Sequence, residues 1–295
     1  MTEIFGLPVS ALIGQLIIGL VNGSFYAILS LGLAVIFGLL GIINFSHGAL
    51  YMMGGILTWM GLNYLGASYW VMLVAAPIIV GLIGAVMELT LLKRIYRIDP
   101  VYGLLLTFGV ALVIEGGFRS IYGVSGQPYS APDELAGVLD LHFLTLPTYR
   151  VWVVLVSVVV CVATWFLIER TKVGSYLRAA IENPKLVEAF GVDVPFMVTL
   201  TYAVGVGLAA LAGVLAAPVI QVSPLMGSNS IITVFAVVVI GGMGSIAGSI
   251  VTGLSLGLIE GLTRVVYPEL SETIVFILMA LILVVRPAGL FGKQR

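Results

Sequence analysis

Few side chains in this 295-residue sequence could do chemistry, and most of them stand inside apolar runs. Glu115 with Arg119, and Glu260 with Arg264, lie at i,i+4 spacing with the acid first, the favourable order on a helix. Charge within a membrane is costly and often functional. A self-satisfied pair toward the outer end of each helix needs no function, and that is the favoured expectation. Glu88 falls one turn before the basic cluster at Lys93 and is expected to snorkel or pair there. No unpaired acid is evident at a membrane centre, which weighs against a proton-coupled carrier. His47 and His142 are far apart, and no metal-ligand spacing is present. Cys161 is the only cysteine, so no intrachain disulfide can form. None of the four lysines stands in a G-x-x-x-x-G-K-[ST] phosphate loop. Any ATP-driven step must therefore lie in another chain.

Uncharged polar groups are the next candidates. "INFSHG" at residues 43–48 places Asn44, Ser46 and His47 between two apolar segments. Asn22 and Ser24 in "VNGS", and Ser228 and Asn229 before another long apolar run, are similar. Caps and loops need such residues. The functional alternative is a polar lining on a translocation path.

The elements that position these groups follow from composition. Only 9% of residues are charged and 60% are hydrophobic, whereas a soluble domain averages roughly 25% charged. The solvent must be lipid, and the net charge of −1 leaves no footprint for nucleic acid. Apolar runs occupy residues 10–43, 49–65, 71–92, 101–121, 151–168, 196–220, 231–266 and 273–285. Backbone groups in lipid must be satisfied internally, so unbroken runs are helices, and a barrel would show alternation. Two runs are too long for one pass. The first is expected to break at "VNGS", residues 21–24, and the second at "GGMGS", residues 241–245. The fold class predicted is all-α: a polytopic inner-membrane helical bundle of eight to ten segments with broken helices. A possible internal repeat is marked by "GLLGII" (residues 38–43) and "GGMGSI" (residues 241–246). The chain is expected to form one membrane domain over residues 1–295. Gly253, Gly257 and Gly261, and likewise Ala209, Gly213 and Ala217, form small-residue ladders for close packing, expected within the subunit.

Basic residues set the orientation. Lys93, Arg94 and Arg97 share one loop, Arg170, Lys172, Arg178 and Lys185 another, and Arg286, Lys293 and Arg295 the C-terminus. Cytoplasmic loops collect Lys and Arg, so these three regions are expected inside and residues 122–149 and 267–272 outside. The side of Met1 depends on whether residues 10–21 form a pass of their own. The start lacks a basic n-region, so a cleaved signal peptide is not expected.

One loop is unusually polar. In "ENPKLVEAFGVD", residues 182–193, Asn183 suits an N-cap, Pro184 the first helical position and Gly191 the end. The helix predicted over residues 184–190 is roughly 10 Å long, too short to span. Leu186, Val187 and Phe190 share a face, while Lys185 and Glu188 keep the other face wet. That apolar face either docks into a partner's groove or packs back on the bundle or the membrane interface.

Four stretches together carry a resemblance: "NGSFYAILSLGLAVIFGLLGIINFSHGALYMMGG" (residues 22–55), "RAAIENPKLVEAFGVDV" (178–194), "LAALAGVLAAP" (208–218) and "VIGGMGSIAGSIVTG" (239–253). In order and spacing the chain resembles the LivH-type permease subunits of high-affinity branched-chain amino-acid ABC importers. The resemblance implies a LivM-like second permease, two cytoplasmic ATPases that bind ATP and Mg, and a periplasmic binding protein. It implies no cofactor and no catalysis in this chain. The loop at residues 169–195 looks like a coupling loop, with Asn183, Pro184, Leu186, Val187, Glu188, Phe190 and Gly191 as its ATPase-coupling residues, of which Leu186, Val187 and Phe190 present the face to the ATPase. "EAFG" is a reduced version of the longer EAA loop of other importers. Relatives of similar sequence carry urea, short amides or aromatic acids. The alternative class is an ion-coupled secondary carrier working alone.

Overall fold

The computed structural model describes residues 3–4, 7–41, 43–96, 99–140 and 145–292. Ile42, Arg97, His142, Lys293, Arg295 and Met1, which entered the expectations above, lie outside the described residues. Among the described residues the fold is built on eleven α-helices: α1 (Val9–Leu40), α2 (Ser46–Leu65), α3 (Tyr69–Thr90), α4 (Pro100–Tyr122), α5 (Thr148–Arg170), α6 (Lys172–Glu182), α7 (Pro184–Ala189), α8 (Val194–Ala216), α9 (Met226–Gly241), α10 (Ile246–Val266) and α11 (Ile274–Val285). Two short hairpins complete it, one before α1 and one pairing Val138–Asp140 with Thr145–Pro147. Among the described residues six helices are long and apolar enough to cross a membrane: α1, α3, α4, α5, α8 and α10. With α2 and the shorter α9 and α11 beside them, they fall within the predicted eight to ten segments.

The first long run does not break where expected. α1 passes without interruption through residues 21–24 over 32 residues, roughly 48 Å at 1.5 Å per residue. The glycines there serve contact and leave the helix intact. A methyl group on Gly19 would sit 2.4 Å from the Gly257 carbonyl oxygen, and one on Gly257 would sit 2.3 Å from Gly23 Cα. Ser24 is satisfied inside the helix, its hydroxyl donating to the Leu20 carbonyl at 2.8 Å. The break comes later. Gly41 takes a left-handed φ of 64° and its N–H caps Phe37 at 2.9 Å, and α2 starts only at Ser46. The second run breaks as predicted. Gly242 and Gly244 adopt φ of 100° and 84°, and Ser245 caps α10 by accepting from the Gly248 N–H at 3.1 Å.

α1 and α10 run antiparallel, joined by Gly19, Gly23, Gly253, Gly257 and Gly261. The glycine ladder is therefore internal to the subunit. The two segments of similar sequence meet as well: a methyl on Gly38 would lie 3.2 Å from Gly244 Cα. In the second ladder, Gly213 abuts the α2 backbone at Tyr51 and Gly55. α3 and α8 are antiparallel too, with Gly81 against Ala203 and Pro77 against Gly207.

These pairings sort the connections into two ends. Residues 93–94, residues 170–194 and the segment after α11 share one end. There Glu88 of α3 meets Thr199 of α8, Gly38 and Gly244 border a cavity with Ile168 and Leu177, and the Leu290 N–H reaches the Ile240 carbonyl at 2.8 Å. At the other end Gln127 bridges Val222 and Tyr69 meets Tyr149 at 3.0 Å. Because α1 is one pass, Val9 lies at this second end, away from the basic loops. α1 is the central helix, with 78% of its apolar window buried, against 11% for α4 and 17% for α5. α4 and α5 therefore face lipid or another chain.

Close backbone approach is the point to test. Gly257→Leu should drive α1 and α10 apart, with an overpacking cost of about 1–3 kcal/mol or more. Gly109→Leu on α4, where a Cβ meets nothing within 4 Å, should be neutral. Thermal unfolding in detergent should show a lower midpoint for the first and an unchanged one for the second. Equal midpoints would remove the ladder's structural role.

Candidate functional site

The predicted path residues separate into two groups. Asn44, Ser46 and His47 are fully buried in the connector between α1 and α2. The Asn44 amide Nδ2 donates to the Tyr202 hydroxyl at 2.9 Å. Asn44 Oδ1 accepts from the Ser46 N–H at 3.1 Å and from the Ser46 hydroxyl. His47 Nε2 lies 2.9 Å from the Leu29 carbonyl; a carbonyl only accepts, so Nε2 carries the proton there. His47 Nδ1 has no partner among the described residues. The Phe45 N–H donates to Thr107 Oγ1 at 3.1 Å. Thr107 is seven residues into α4, so the connector re-enters the bundle by roughly 10 Å. The Phe45 ring packs edge-on to Phe108 and stacked on Phe235, each at 6.2 Å. A peptide segment with free backbone groups can sit at this depth only when other groups satisfy it. Asn44 and Thr107 do that, with the Ser46 hydroxyl holding the Asn44 amide, and in doing so they aim Phe45.

Phe45 points into a cavity of about 60 Å³ bordered by Phe108, Glu115, Gly227, Ser228 and Ile231. Ser228 lines it, and Asn229 is exposed beside it. Asn22 is half-buried and Ser24 fully buried on α1, and neither borders this cavity. The structure thus brings Ser228 together with the connector and leaves Asn22 and Ser24 apart.

The charged pairs also divide. Glu260 accepts from Arg264 at 2.7 Å and from the Tyr26 hydroxyl at 2.9 Å, the self-satisfied arrangement expected. Glu115 and Arg119 form no such pair: the described ion pairs are Arg264–Glu260 and Arg178–Glu169. Glu88 is buried and, among the described residues, forms no ion pair with Lys93 or Arg94. It accepts from the Tyr96 hydroxyl and the Thr199 hydroxyl, each at 2.6 Å, because it lies on the inward face of α3 opposite α8. Burial, then the adjoining Glu88 carboxylate, raises the Tyr96 phenol above its ordinary pKa, so it remains a donor.

At the basic end, Asn183 Oδ1 caps α7 by accepting from the Leu186 N–H at 3.1 Å. Pro184 is the first helical residue and Gly191 ends the turn at φ 81°. The helix stops at Ala189, with Phe190 at its C-cap. Its apolar face is divided. Val187 is buried against the bundle, while Leu186 and Phe190 are 55% and 80% exposed. Val187 is thus an anchor inside this subunit and is removed from the outward face, because one turn of helix cannot keep i, i+1 and i+4 on a single narrow stripe. Glu188 is exposed. The sequence reading missed α6. Its signal was present as Val173, Tyr176, Leu177, Ala180 and Ile181, an i, i+3, i+4, i+7, i+8 pattern. Leu177 is buried, and Arg178 donates to the Ile168 carbonyl at 3.2 Å and meets Glu169 at 3.4 Å.

A polytopic bundle whose re-entrant polar connector enters from the same end as an externally held amphipathic pair of helices is a multi-pass membrane protein. Residues 15–284 match the family model described as branched-chain amino acid transport system / permease component, and the chain belongs to that family. It is 27% identical over 95% of both chains to the high-affinity branched-chain amino acid transport system permease protein LivH of Salmonella typhimurium. It is 26% identical, again over 95% of both, to LivH of Escherichia coli and to the corresponding permease protein BraD of Pseudomonas aeruginosa. No solved structure matches it.

Asn44→Leu should leave the Tyr202 hydroxyl and the Ser46 groups without their buried partner, at about 1–3 kcal/mol. Ser228→Ala, at the exposed rim, should cost almost nothing. Detergent melting of the two variants checks this, and a stable Asn44→Leu would mean that the connector does not depend on its amide.

Proposed function

We propose that this chain is one of two membrane subunits of an ATP-driven importer for branched-chain amino acids or a closely related small polar solute. Membership of the permease family over residues 15–284 is the observation that carries this reading. The second subunit is a LivM-like permease, two ATPases bind ATP and Mg on the cytoplasmic side, and a periplasmic binding protein delivers cargo. The end holding Lys93, Arg94, Arg178 and Lys185 is cytoplasmic by the excess of basic residues, in the inner membrane of a bacterium, with the C-terminus on the same side. α6 and α7 then stand in the cytoplasm. Leu186 and Phe190 face the ATPase, Asn183, Pro184 and Gly191 fix the helix ends, Glu188 stays in water, and Val187 ties the helix to the bundle. ATP-driven closure of the ATPases pushes this pair, which borders α1 and α10 at Gly38 and Gly244 through a cavity of about 80 Å³. No bond of the cargo is made or broken.

Phe190→Asp tests the docking face. Burying a Phe is worth roughly 1.5–3 kcal/mol, and an unpartnered charge in the groove adds to the loss. The variant should insert normally, co-purify poorly with ATPases and show reduced cargo-stimulated ATP hydrolysis. Normal co-purification and transport would remove Phe190 from the interface.

Orientation has its own check. Single cysteines at Ser125 and Glu182, with Cys161→Ala, should react with an impermeant reagent from the periplasmic and cytoplasmic sides respectively; reaction from one side would overturn the topology. The carrier alternative gains one observation, the Glu115 carboxylate without an ion pair. Uptake into vesicles holding this chain alone under an ion gradient would favour it, and inertness without ATPases and binding protein favours the importer.

A further inference from the structure

α6 has an outward flank that the described residues leave uncovered. Val173, Tyr176 and Ala180 follow at i, i+3 and i+7, a stripe along the helix. Val173 and Tyr176 are 45% and 43% exposed. The adjoining stripe, Gly174, Leu177 and Ile181, turns toward the bundle. Leu177 is buried, and it borders with Ile181 the cavity that Gly38 and Gly244 share. Ser175 and Glu182 occupy the far side and are exposed. The apolar arc of α6 is thus wider than the part that the bundle covers.

Depth decides what this flank meets. α5 is a membrane-length helix ending at Arg170, and α6 starts two residues later. α6 then doubles back. A methyl on Gly174 would collide with the Ile168 carbonyl, and Arg178 donates to that carbonyl at 3.2 Å. Ile168 is less than one turn, roughly 5 Å, from the end of α5. Ile181 shares its cavity with Ala34, Val35 and Gly38, inside the membrane-length part of α1. α6 therefore lies across the bundle end at the depth of the lipid headgroups and does not project into water. Its flank continues the exposed face of α5, where Phe166 and Leu167 are 58% and 50% exposed. Two cations frame it. Arg170 lies over the Trp165 ring at 5.6 Å, and Lys172 precedes Tyr176 at i,i+4. Neither cation forms an ion pair among the described residues. Trp and Tyr collect at the membrane–water boundary, and basic residues there attract anionic lipids.

We propose that the corner between α5 and α6 binds an anionic phospholipid: Arg170 and Lys172 hold the phosphate, and Trp165, Val173 and Tyr176 contact the glycerol and upper acyl chain. Lipid, and not a groove on another protein, is the occupant for three reasons. The flank sits at headgroup depth, it continues the apolar face of a membrane helix, and it carries unpaired cations at its rim, the pattern of an interfacial helix. The lipid holds α6 against the bilayer surface, and α6 in turn carries α7. This assignment needs only the membrane position of the chain and does not rest on the importer reading.

The test uses the assembled complex in liposomes, with Cys161→Ala and Val173→Cys carrying a bimane fluorophore. Acyl-brominated phosphatidylglycerol or acyl-brominated phosphatidylcholine is added at the same low fraction to a phosphatidylcholine membrane, and quenching is read. The anionic lipid should quench with an apparent affinity roughly fivefold or more above the zwitterionic one, the worth of a single basic contact. Arg170→Gln with Lys172→Gln should equalise the two lipids, while Arg170→Lys with Lys172→Arg keeps the preference. Bimane at Val162→Cys, on the exposed face of α5 within the membrane, should be quenched equally by both lipids. Bimane at Glu182→Cys, on the far side of α6, should be quenched by neither. Equal quenching at position 173 by the two lipids would reduce the corner to ordinary boundary lipid and overturn the proposal. A preference that survives the double glutamine variant would overturn it as well. So would absence of quenching in the complex, because water or a partner chain would then cover the flank. The readout needs neither ATP nor cargo, so a failure of ATP-driven import would leave it standing.

Discussion

The rest of the structure depends on how closely α1 and α10 approach. Their backbones meet at Gly19, Gly23, Gly253, Gly257 and Gly261, with no room for a single methyl at several of these points. In lipid there is little hydrophobic drive between apolar helices, so van der Waals contact between backbones must supply the adhesion. That contact makes α1 a single straight member of the core. It also fixes which way the chain runs afterwards. With α1 held along its full length, the connector at residues 43–47 must turn back into the bundle, and α2 starts from within it. The neighbouring crossings, Gly32 on Gly205 and Gly54 on Ala210, then seat α8 against both α1 and α2.

Much of this was legible in the residues. The apolar runs gave the helices, because no other backbone state satisfies itself in hydrocarbon. The break at 241–245 was legible because two of its glycines take left-handed torsions and Ser245 caps α10. The break assigned to 21–24 was wrong for an instructive reason. Glycine in a membrane helix has two uses, turning and touching, and composition does not separate them. Gly23 touches Gly257, while Gly41, which touches nothing within 4 Å, turns. Only the partner helix distinguishes them. The charge pairs failed in the same way. Glu115–Arg119 and Glu260–Arg264 have one spacing and one order, yet only the second closes. Its Glu also receives Tyr26 from α1, a contact 234 positions away that no local pattern contains.

The candidate site was legible by type and not by place. Asn44, Ser46, His47 and Ser228 were recognisable as polar groups amid apolar sequence. Three of them prove to be hidden supports, and the group that faces open space beside them is Phe45, a residue no polar scan would select. A buried amide that satisfies backbone and side chain at once fixes geometry, because leaving any of those groups unmet in a low-dielectric interior is expensive. Exposure of an aromatic ring to the cavity is the consequence of that fixation. The short helix α7 shows the converse. Its ends were set by Asn183, Pro184 and Gly191 as local chemistry dictates, whereas the inward turn of Val187 depended on the bundle beneath it.

α8 links the basic-loop end to the re-entrant connector. Thr199 and Tyr202 stand one turn apart on it, at i,i+3, on neighbouring positions of one face. Thr199 donates to Glu88 of α3, which also holds Tyr96 beside the basic loop. Tyr202 receives Asn44 of the connector. The same helix begins three residues after Gly191, with Asp193 capping it by accepting from the Phe196 N–H at 3.0 Å. A helix is stiff over a few turns, and the inward face of α8 is closely packed. Thr199 and Tyr202 are therefore held in a fixed relation on one face of α8. The hydrogen bond to Asn44 ties α8 to the non-helical connector inside the bundle, and through that connector to Phe45 at the cavity wall.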